Sequence, residues 1–148
     1  MMRVKIRHVN DKAQEQVIIE CVEERTEIKR IKAFALLSTS ELTGTIDGRM
    51  YSFSLSEVYY FEAVDERVYA YTEDKVYEMK VRLYELESAY AEHHFVRASK
   101  SFLISIMKLQ CIRPTLNGRF IAQMKNGEEV IISRQYVPEL KRIVQGGR

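Results

Sequence analysis

Apolar and polar positions in the first 38 residues follow two different periods. Residues 4–8 alternate apolar with basic side chains and residues 17–22 are rich in β-branched side chains, so both runs predict strands. From Thr26 the apolar positions recur every three or four residues, which predicts a helix. Residues 1–38 are therefore predicted to form a small β-β-α or β-α unit.

A loop rich in Ser, Thr and Gly at 38–44 predicts a boundary between an N-terminal unit at 1–44 and a second domain at 45–148. In the second domain the Asp47-Gly48 pair predicts a hairpin turn. Three closely spaced β-favouring runs then predict an antiparallel meander at 58–63, 68–72 and 76–81. A helix is predicted at 83–90, where apolar residues return to helical spacing.

The last third of the chain predicts more hairpins and one helix. Asn-Gly pairs at 117–118 and 126–127 are strong hairpin signals, and residues 137–144 have helical spacing. The predicted fold class is β-rich α+β: a mostly antiparallel β domain with a few short helices, preceded by the small N-terminal unit.

Composition narrows the class of protein. The chain has 148 residues and is 46% hydrophobic, yet no apolar run reaches the roughly 18 residues of a membrane span, and the start lacks the apolar block of a signal peptide. We therefore expect a cytoplasmic protein. Cys21 and Cys111 have no Cys or His at ligand spacing, so we predict two buried thiols, no metal site and no cofactor.

Charge is unevenly distributed along the chain. Residues 1–94 hold 13 basic and 18 acidic residues, net −5, whereas residues 95–148 hold 10 basic and 3 acidic residues, net +7. The change occurs at 95–105, a stretch that is basic and rich in hydroxyls. A basic third on a nearly neutral chain indicates one surface built for a polyanion.

Catalytic chemistry has little support in the sequence. The neighbouring His93 and His94 cannot face one site from a regular helix, and no phosphate loop or nucleophile motif is present. We predict that the protein is not an enzyme. The alternative, a small enzyme that uses this histidine pair, requires a concave pocket with perturbed titration at His94.

The tyrosines of the meander allow two interpretations. They are a stacking surface for single-stranded nucleic acid, or ordinary cross-strand aromatic pairs, which we favour because this part of the chain is acidic. The residues concerned are Tyr59, Tyr60, Tyr69, Tyr71 and Tyr77.

Basic residues of the last third suggest two kinds of contact with duplex DNA. Arg134 follows a strand at a strand-to-helix junction, where its planar fork could bind guanine O6 and N7 in a major groove. Lys100, flanked by Ser99 and Ser101, suits phosphate oxygens instead.

Four motifs, in order and spacing, resemble the LytTR DNA-binding domain of bacterial transcription regulators. They lie at 58–63, 83–87, 95–105 and 125–136, and the resemblance covers about residues 45–145. The most specific pieces are Phe-x-Arg-x-x-Lys-Ser at 95–101 and Ile-Ser-Arg-x-Tyr at 132–136.

The resemblance implies that loops, and not a recognition helix, enter successive major grooves. It implies base contacts from Arg134 and from a loop formed by Asp65, Glu66 and Arg67. Contacts to the DNA backbone are expected from the following residues: Arg97, Ser99, Lys100, Ser101, Lys108, Arg119 and Gln135. The chain differs from many members, which have His at the position of Ser99, Asn at the position of Ser105 and, in some, a base-reading His in the first loop.

Residues 1–44 are too short for a receiver domain, so the chain resembles the stand-alone subgroup of the family. The resemblance implies double-stranded DNA as partner, a homodimer on repeated sites, and no small-molecule substrate. A small membrane protein is a second expected partner, at the N-terminal unit, which is alternatively a dimerisation element. The main rival to a DNA-binding regulator is a partner-binding or anti-regulator module of the same fold with little DNA affinity.

Overall fold

The structure is a computed structural model that describes residues 1–146, so the last two residues of the predicted 45–148 domain lie outside the described residues. Three α-helices and ten strands are present among them. The helices are α1 (Thr26–Ser38), α2 (Leu83–Ala89) and α3 (Val137–Val144). The strands are β1 (Glu41–Ile46), β2 (Arg49–Ser54), β3 (Tyr60–Val64), β4 (Arg67–Tyr71), β5 (Val76–Met79), β6 (Phe95–Arg97), β7 (Phe102–Ser105), β8 (Leu109–Pro114), β9 (Phe120–Met124) and β10 (Glu129–Ile132).

The strands form two antiparallel sheets. Seven strands make the large sheet, in the order β2-β1-β5-β4-β3-β7-β6, and three make the small sheet, in the order β10-β9-β8. The predicted meander is β3-β4-β5, paired in register from Tyr60↔Tyr71 to Tyr71↔Val76. The predicted β-rich fold with a few short helices is therefore confirmed.

Short-range turn chemistry explains the hairpins. Asp47 and Gly48 both have positive φ, 50° and 79°, the conformation that a primed two-residue turn requires. Asp65 takes the same left-handed conformation, at φ 57°, in the turn between β3 and β4. The Asn117-Gly118 pair also has positive φ, but it lies within a five-residue loop closed by Thr115 N donating to the Arg119 carbonyl at 2.9 Å.

Two hydrophobic cores lie on opposite sides of the large sheet. One core packs the sheet against Leu37 of α1 and against Leu83 and Leu86 of α2. The other packs it against the small sheet and α3, through residues such as Ile132 and Leu140. The large sheet is thus the middle layer of three.

Strands β3 and β7 are buried on both faces because their side chains alternate between these cores. In β3, Phe61 belongs to the helix-side core and Tyr60 to the small-sheet core; in β7, Leu103 and Ile104 divide in the same way. The period-2 geometry of a strand makes this division possible. Since the two strands pair directly, Tyr60↔Ile104 and Phe61↔Leu103, they join all three layers.

The two strands predicted at 4–8 and 17–22 are absent from the structure. Residues 1–25 contain only a short 3₁₀ turn at Lys12–Gln14, and every one of them except Ile19 is exposed. A strand needs a partner for its backbone groups, and an isolated two-stranded hairpin is marginal in water. The helix of the predicted N-terminal unit is therefore present in the described residues, but neither of its predicted strands is.

The helix and the loop after it belong to the main body of the molecule. Ile28, Ala33 and Leu37 of α1 are buried, and the predicted boundary between residues 44 and 45 falls inside β1, which pairs with β2 and β5. Gly44 is packed closely here, because a methyl group built on it would lie 2.7 Å from Cβ of Tyr77.

Replacing Gly44 with Ala should destabilise the fold by about 1–3 kcal/mol, because the added methyl group overpacks the contact with Tyr77. Thr43→Ala, at an exposed position of the same strand, is the control and should change the free energy of unfolding by less than about 0.5 kcal/mol. Urea unfolding of the full chain measures both. Equal effects of the two variants would contradict this close packing.

Candidate nucleic-acid interface

Three connecting segments that carry predicted site residues meet at one end of the two sheets. They are the turn between β3 and β4 at 64–67, the loop between β6 and β7 at 98–101, and the junction after β10 at 133–135. We call these three segments together the loop face. Its residues come from distant parts of the chain, so backbone pairing must position them.

The first two segments are neighbours because β3 and β7 are antiparallel. The end of β3 lies beside the start of β7, with Glu62 opposite Phe102. Just beyond that pair, the Ala63 amide donates to the Ser101 carbonyl at 2.8 Å. The turn at Asp65 and the loop at Lys100 therefore project from the same end of the large sheet.

The third segment is joined to the second by one backbone hydrogen bond. The Ser133 amide, directly after β10, donates to the Ala98 carbonyl at 2.8 Å. The end of β10 lies beside the start of β9, with Ile132 opposite Phe120. The exposed Arg119 therefore lies at the same end of the small sheet as Arg134 and Gln135, which are also exposed.

Arg134 is supported along its aliphatic stem. A methyl group built on Gly118 would lie 3.2 Å from Cδ and 3.4 Å from Cγ of Arg134, so the stem lies over the glycine. Gly118 also has φ 74°, a conformation that disfavours any side chain. The Asn117-Gly118 pair, which the sequence marked only as a turn signal, thus supports the predicted base-reading residue.

The loop at 98–101 is a tight turn with its own hydrogen bonds. The Ala98 amide donates to the Phe102 carbonyl at 3.0 Å, and the Ser101 amide donates to the Ser99 hydroxyl at 3.2 Å. Ser99 is half-buried, while Lys100 and Ser101 are exposed. The lysine ammonium and the two hydroxyls thus lie on a loop of defined shape.

Arg97 is directed into this loop and away from solvent. Its side chain is 15% exposed, and its Nε donates to Glu87 of α2 at 3.0 Å. One guanidinium nitrogen, Nη1, donates to the Lys100 carbonyl at 2.8 Å and lies 3.5 Å from the Ser99 carbonyl. The structure therefore gives Arg97 an internal role, which is to hold the backbone of the loop and connect it to α2.

The turn at 65–66 presents its carboxylates to solvent. Asp65 and Glu66 are both exposed, and no ion pair is recorded for either within the described residues. Arg67 turns back along the sheet, where its Nη1 lies 3.7 Å from Glu78. A hydrogen bond with Tyr69, followed by the charge of Glu78, raises the pKa of Arg67. The pair is exposed, so it contributes little to stability and leaves Arg67 able to move.

Lys108, a predicted contact residue, and Ser105, a position where the chain differs from the motif, both lie elsewhere. Lys108 follows β7 at the end opposite to the loop at 98–101, and its ammonium lies over the Tyr59 ring, 5.0 Å from the centroid. Ser105, where many relatives of the motif have Asn, is 1% exposed at that same far end of β7. Neither position belongs to the loop face.

Two of the meander tyrosines, Tyr60 and Tyr71, form the kind of cross-strand aromatic pair that the sequence favoured. Tyr60 lies opposite Tyr71, with ring centroids 4.6 Å apart, and Tyr77 stacks on Phe53 at 4.0 Å. Tyr71 donates to Glu62 at 2.9 Å, and burial together with that carboxylate raises the pKa of Tyr71 to about 12. The Tyr71 phenol therefore stays neutral at physiological pH and packs within the large sheet.

Sequence reasoning missed two residues of this region. Glu87 gave no signal, because its partner Arg97 is ten residues away on a different element. Gly118 was noticed only for turn formation, although its contact with Arg134 is across the fold.

The predicted burial of the two cysteines is wrong. Both are exposed: Cys21 lies in the N-terminal segment, and Cys111 lies on β8, an edge strand of the small sheet. Among residues 1–146, no cluster of three or more His, Cys, Asp or Glu side chains could hold a metal ion. No helix in this range is long and apolar enough to span a membrane.

His94 does line a cavity, as the enzyme alternative requires. The cavity has a volume of about 790 Å³ and lies between α1, α3 and the strands around β6. Burial, followed by the charges of Arg30 and Lys29, lowers the pKa of His94. However, Nδ1 of His93 and of His94 is buried without a hydrogen-bond partner in the described structure.

The comparisons with known proteins agree with this geometry. The family model for the LytTr DNA-binding domain matches residues 48–145. The chain therefore belongs to the LytTR family of DNA-binding domains.

The chain is also similar to individual proteins of known sequence or structure. The LytTr DNA-binding domain of a response regulator from Bacillus cereus is 26% identical, has a TM-score of 0.67, and is matched over 72% of this chain and 97% of its own. An uncharacterised transcriptional regulator from Staphylococcus aureus is 30% identical over 100 residues, 68% of this chain and 67% of its own length. The Escherichia coli transcriptional regulatory protein YpdB is 29% identical over 99 residues, 66% of this chain. The chain spans about 40% of YpdB's length.

Arg97→Ala should lower the free energy of unfolding by about 1–3 kcal/mol, because it removes charged hydrogen bonds to a half-buried loop. Arg113→Ala is the matched control, since its ion pair with Glu129 is 2.7 Å long but about half exposed on both sides. That variant should cost less than about 1 kcal/mol. Urea unfolding that ranks the two variants in the opposite order would show that Arg97 does not hold the loop.

The partly buried His93 and His94 predict a pH dependence of stability. A histidine whose pKa is lowered by folding binds its proton first in the unfolded chain, so stability falls as pH drops below about 6.5 towards the folded pKa. His94→Asn, which suits the left-handed backbone at φ 61°, should reduce the loss of stability between pH 7.5 and 5. His8→Asn, at an exposed histidine, is the control. Urea unfolding with the same pH slope in wild type and His94→Asn would refute the assignment.

Proposed function

We propose that this protein is a transcription regulator that binds duplex DNA in a sequence-specific manner through the loop face. The observation that carries the proposal is the convergence of the segments at 64–67, 98–101 and 133–135, held by hydrogen bonds to the Ser101 and Ala98 carbonyls. The relatives from B. cereus and E. coli are named for DNA binding and for transcriptional regulation, which supports the same function.

Base reading is assigned to the two outer segments of the loop face. Arg134 extends from a supported stem, and its fork matches the two acceptors of guanine in the major groove. Asp65 and Glu66 can accept only, which suits the amino group of cytosine. Arg67 can change its partner, because its exposed ion pair with Glu78 is weak and can be replaced by a contact with a base or a phosphate.

Phosphate contacts are assigned to the middle segment and its flanks. Lys100 supplies the charge, the Ser99 and Ser101 hydroxyls can donate, and Arg119 and Gln135 extend the contact on the small-sheet side. Lys108 is left out of the contact set because it lies at the far end of β7. Arg97 is left out because its guanidinium holds the loop from inside.

Two copies on one operator fit this small reading surface. Each domain contributes only a few base-reading side chains, and dimers gain specificity by binding half-sites about 10–10.5 base pairs apart. A cytoplasmic location follows from the proposed DNA target. A small membrane protein that restrains the regulator through the N-terminal residues is part of the same proposal.

Arg134→Ala should weaken binding to the cognate duplex by about 1–3 kcal/mol, roughly 5- to 150-fold, and relax selectivity at one base pair. Lys100→Ala should weaken cognate and random duplexes alike and reduce the slope of log affinity against log salt by about one. Electrophoretic mobility-shift titrations over a range of salt concentrations measure both effects.

Lys108→Ala is the charge-matched control and should leave affinity and salt slope unchanged. Identical behaviour of the Arg134 and Lys100 variants would contradict the division of roles. Should the folded wild type fail to shift the DNA upstream of its own gene at physiological salt, the anti-regulator function would replace DNA binding.

A further inference from the structure

Residues 1–25, the N-terminal segment, present apolar side chains that nothing covers in the described structure. The exposed fraction is 87% for Val4, 86% for Ile6, 66% for Ile18 and 101% for Val22. These residues lie outside both hydrophobic cores. Apolar burial is the main favourable term in association, so several uncovered apolar side chains in one segment indicate a contact surface.

The N-terminal segment consists of two arms of opposite charge. The basic arm, residues 3–8, has three basic residues and no acidic one, whereas the acidic arm, residues 15–24, has four glutamates and no basic residue. Between them lies the turn at Lys12–Gln14, capped by Asp11 accepting from the Ala13 amide at 3.1 Å. The backbone is extended at both ends of this turn, at Asp11 and Glu15.

We propose that two copies of this chain associate through their N-terminal segments, the basic arm of one copy against the acidic arm of the other. The proposal gives the surface for the dimer of the proposed function and is independent of the DNA contacts. A two-fold axis makes both pairings form at once, because each copy supplies one basic and one acidic arm. The β-branched residues of both arms suit paired strands, in which their backbone groups gain partners.

A second copy explains the structure of the segment better than pairing within one chain. The arms have the composition of strands, yet they form no ladder with each other in the described monomer. Two strands alone are marginal in water, whereas the four arms of two copies reach the number that is independently stable and give the apolar side chains a face to bury.

The first experiment measures the mass of the full chain by sedimentation equilibrium without DNA. Wild type should have twice the monomer mass, and the variant with Ile6→Ser and Ile18→Ser should have the monomer mass with unchanged thermal unfolding of the domain. Met50→Ser is the control, since Met50 is 75% exposed on β2, an edge strand of the large sheet outside the N-terminal segment, and this variant should remain a dimer. A monomeric wild type, or a double variant that stays dimeric, would overturn the proposal.

A charge exchange shows whether the arms pair between copies. One variant changes Arg3, Lys5 and Arg7 to Glu; the other changes Glu15, Glu20 and Glu23 to Lys. Each alone should be monomeric, because its two arms carry like charge, and an equimolar mixture should restore the dimer mass. If the mixture stays monomeric, the arms do not pair across two copies.

DNA binding is scored separately on a duplex with a single site. The monomeric variants should bind that duplex as wild type does, since the loop face is unaltered. Variants that lose the dimer mass but still bind the single site support the proposed dimer surface and leave the proposed function unaffected. If wild type does not bind the single site, the proposed function is refuted, while the sedimentation result still decides whether the chain dimerises.

Discussion

The direct pairing of β3 with β7 is the interaction on which the rest of the structure depends. Both strands divide their side chains between two cores, so their register fixes the helices on one side and the small sheet on the other. A slip of one residue would exchange the two sets of side chains and mismatch both cores at once. Because the loop face begins where these strands end, the same register that satisfies the cores also sets the spacing between the turn at 64–67 and the loop at 98–101.

The basic residues of the last third serve distinct purposes that depend on burial. Arg97 ends a strand and Arg134 follows one. The guanidinium of Arg97 donates to a carbonyl inside the protein, whereas Arg134 is exposed to solvent. Removing the first alters the shape of a loop, whereas removing the second alters a surface. An uneven charge distribution therefore indicates a candidate region for contact with a polyanion, but the intramolecular partners of each residue decide which side chains are available for such a contact.

Local signals were enough for most of the elements of residues 45–146. Asp47-Gly48 and the meander runs depend on near neighbours in the chain, and their turns and strands appear where the patterns indicate. The first 25 residues have equally good strand patterns and form none, because a strand requires a partner that the pattern does not contain. In the same way, the approach of Arg134 to Gly118 and of Arg97 to Glu87 depends on tertiary packing. The resemblance pointed to three segments that the fold brings to one end of the sheets, while only the structure separated Lys108 from them.

The glycine beneath Arg134 bears on the thermodynamics of recognition. A long flexible side chain normally loses rotamer freedom when a ligand immobilises it, and that loss subtracts from affinity. Here the stem already lies against the Asn117-Gly118 turn in the free protein, with Cγ and Cδ restricted by the backbone below them. Part of this ordering cost is thus met during folding, so in the proposed base contact Gly118 would help to set how strongly Arg134 binds without itself touching the DNA.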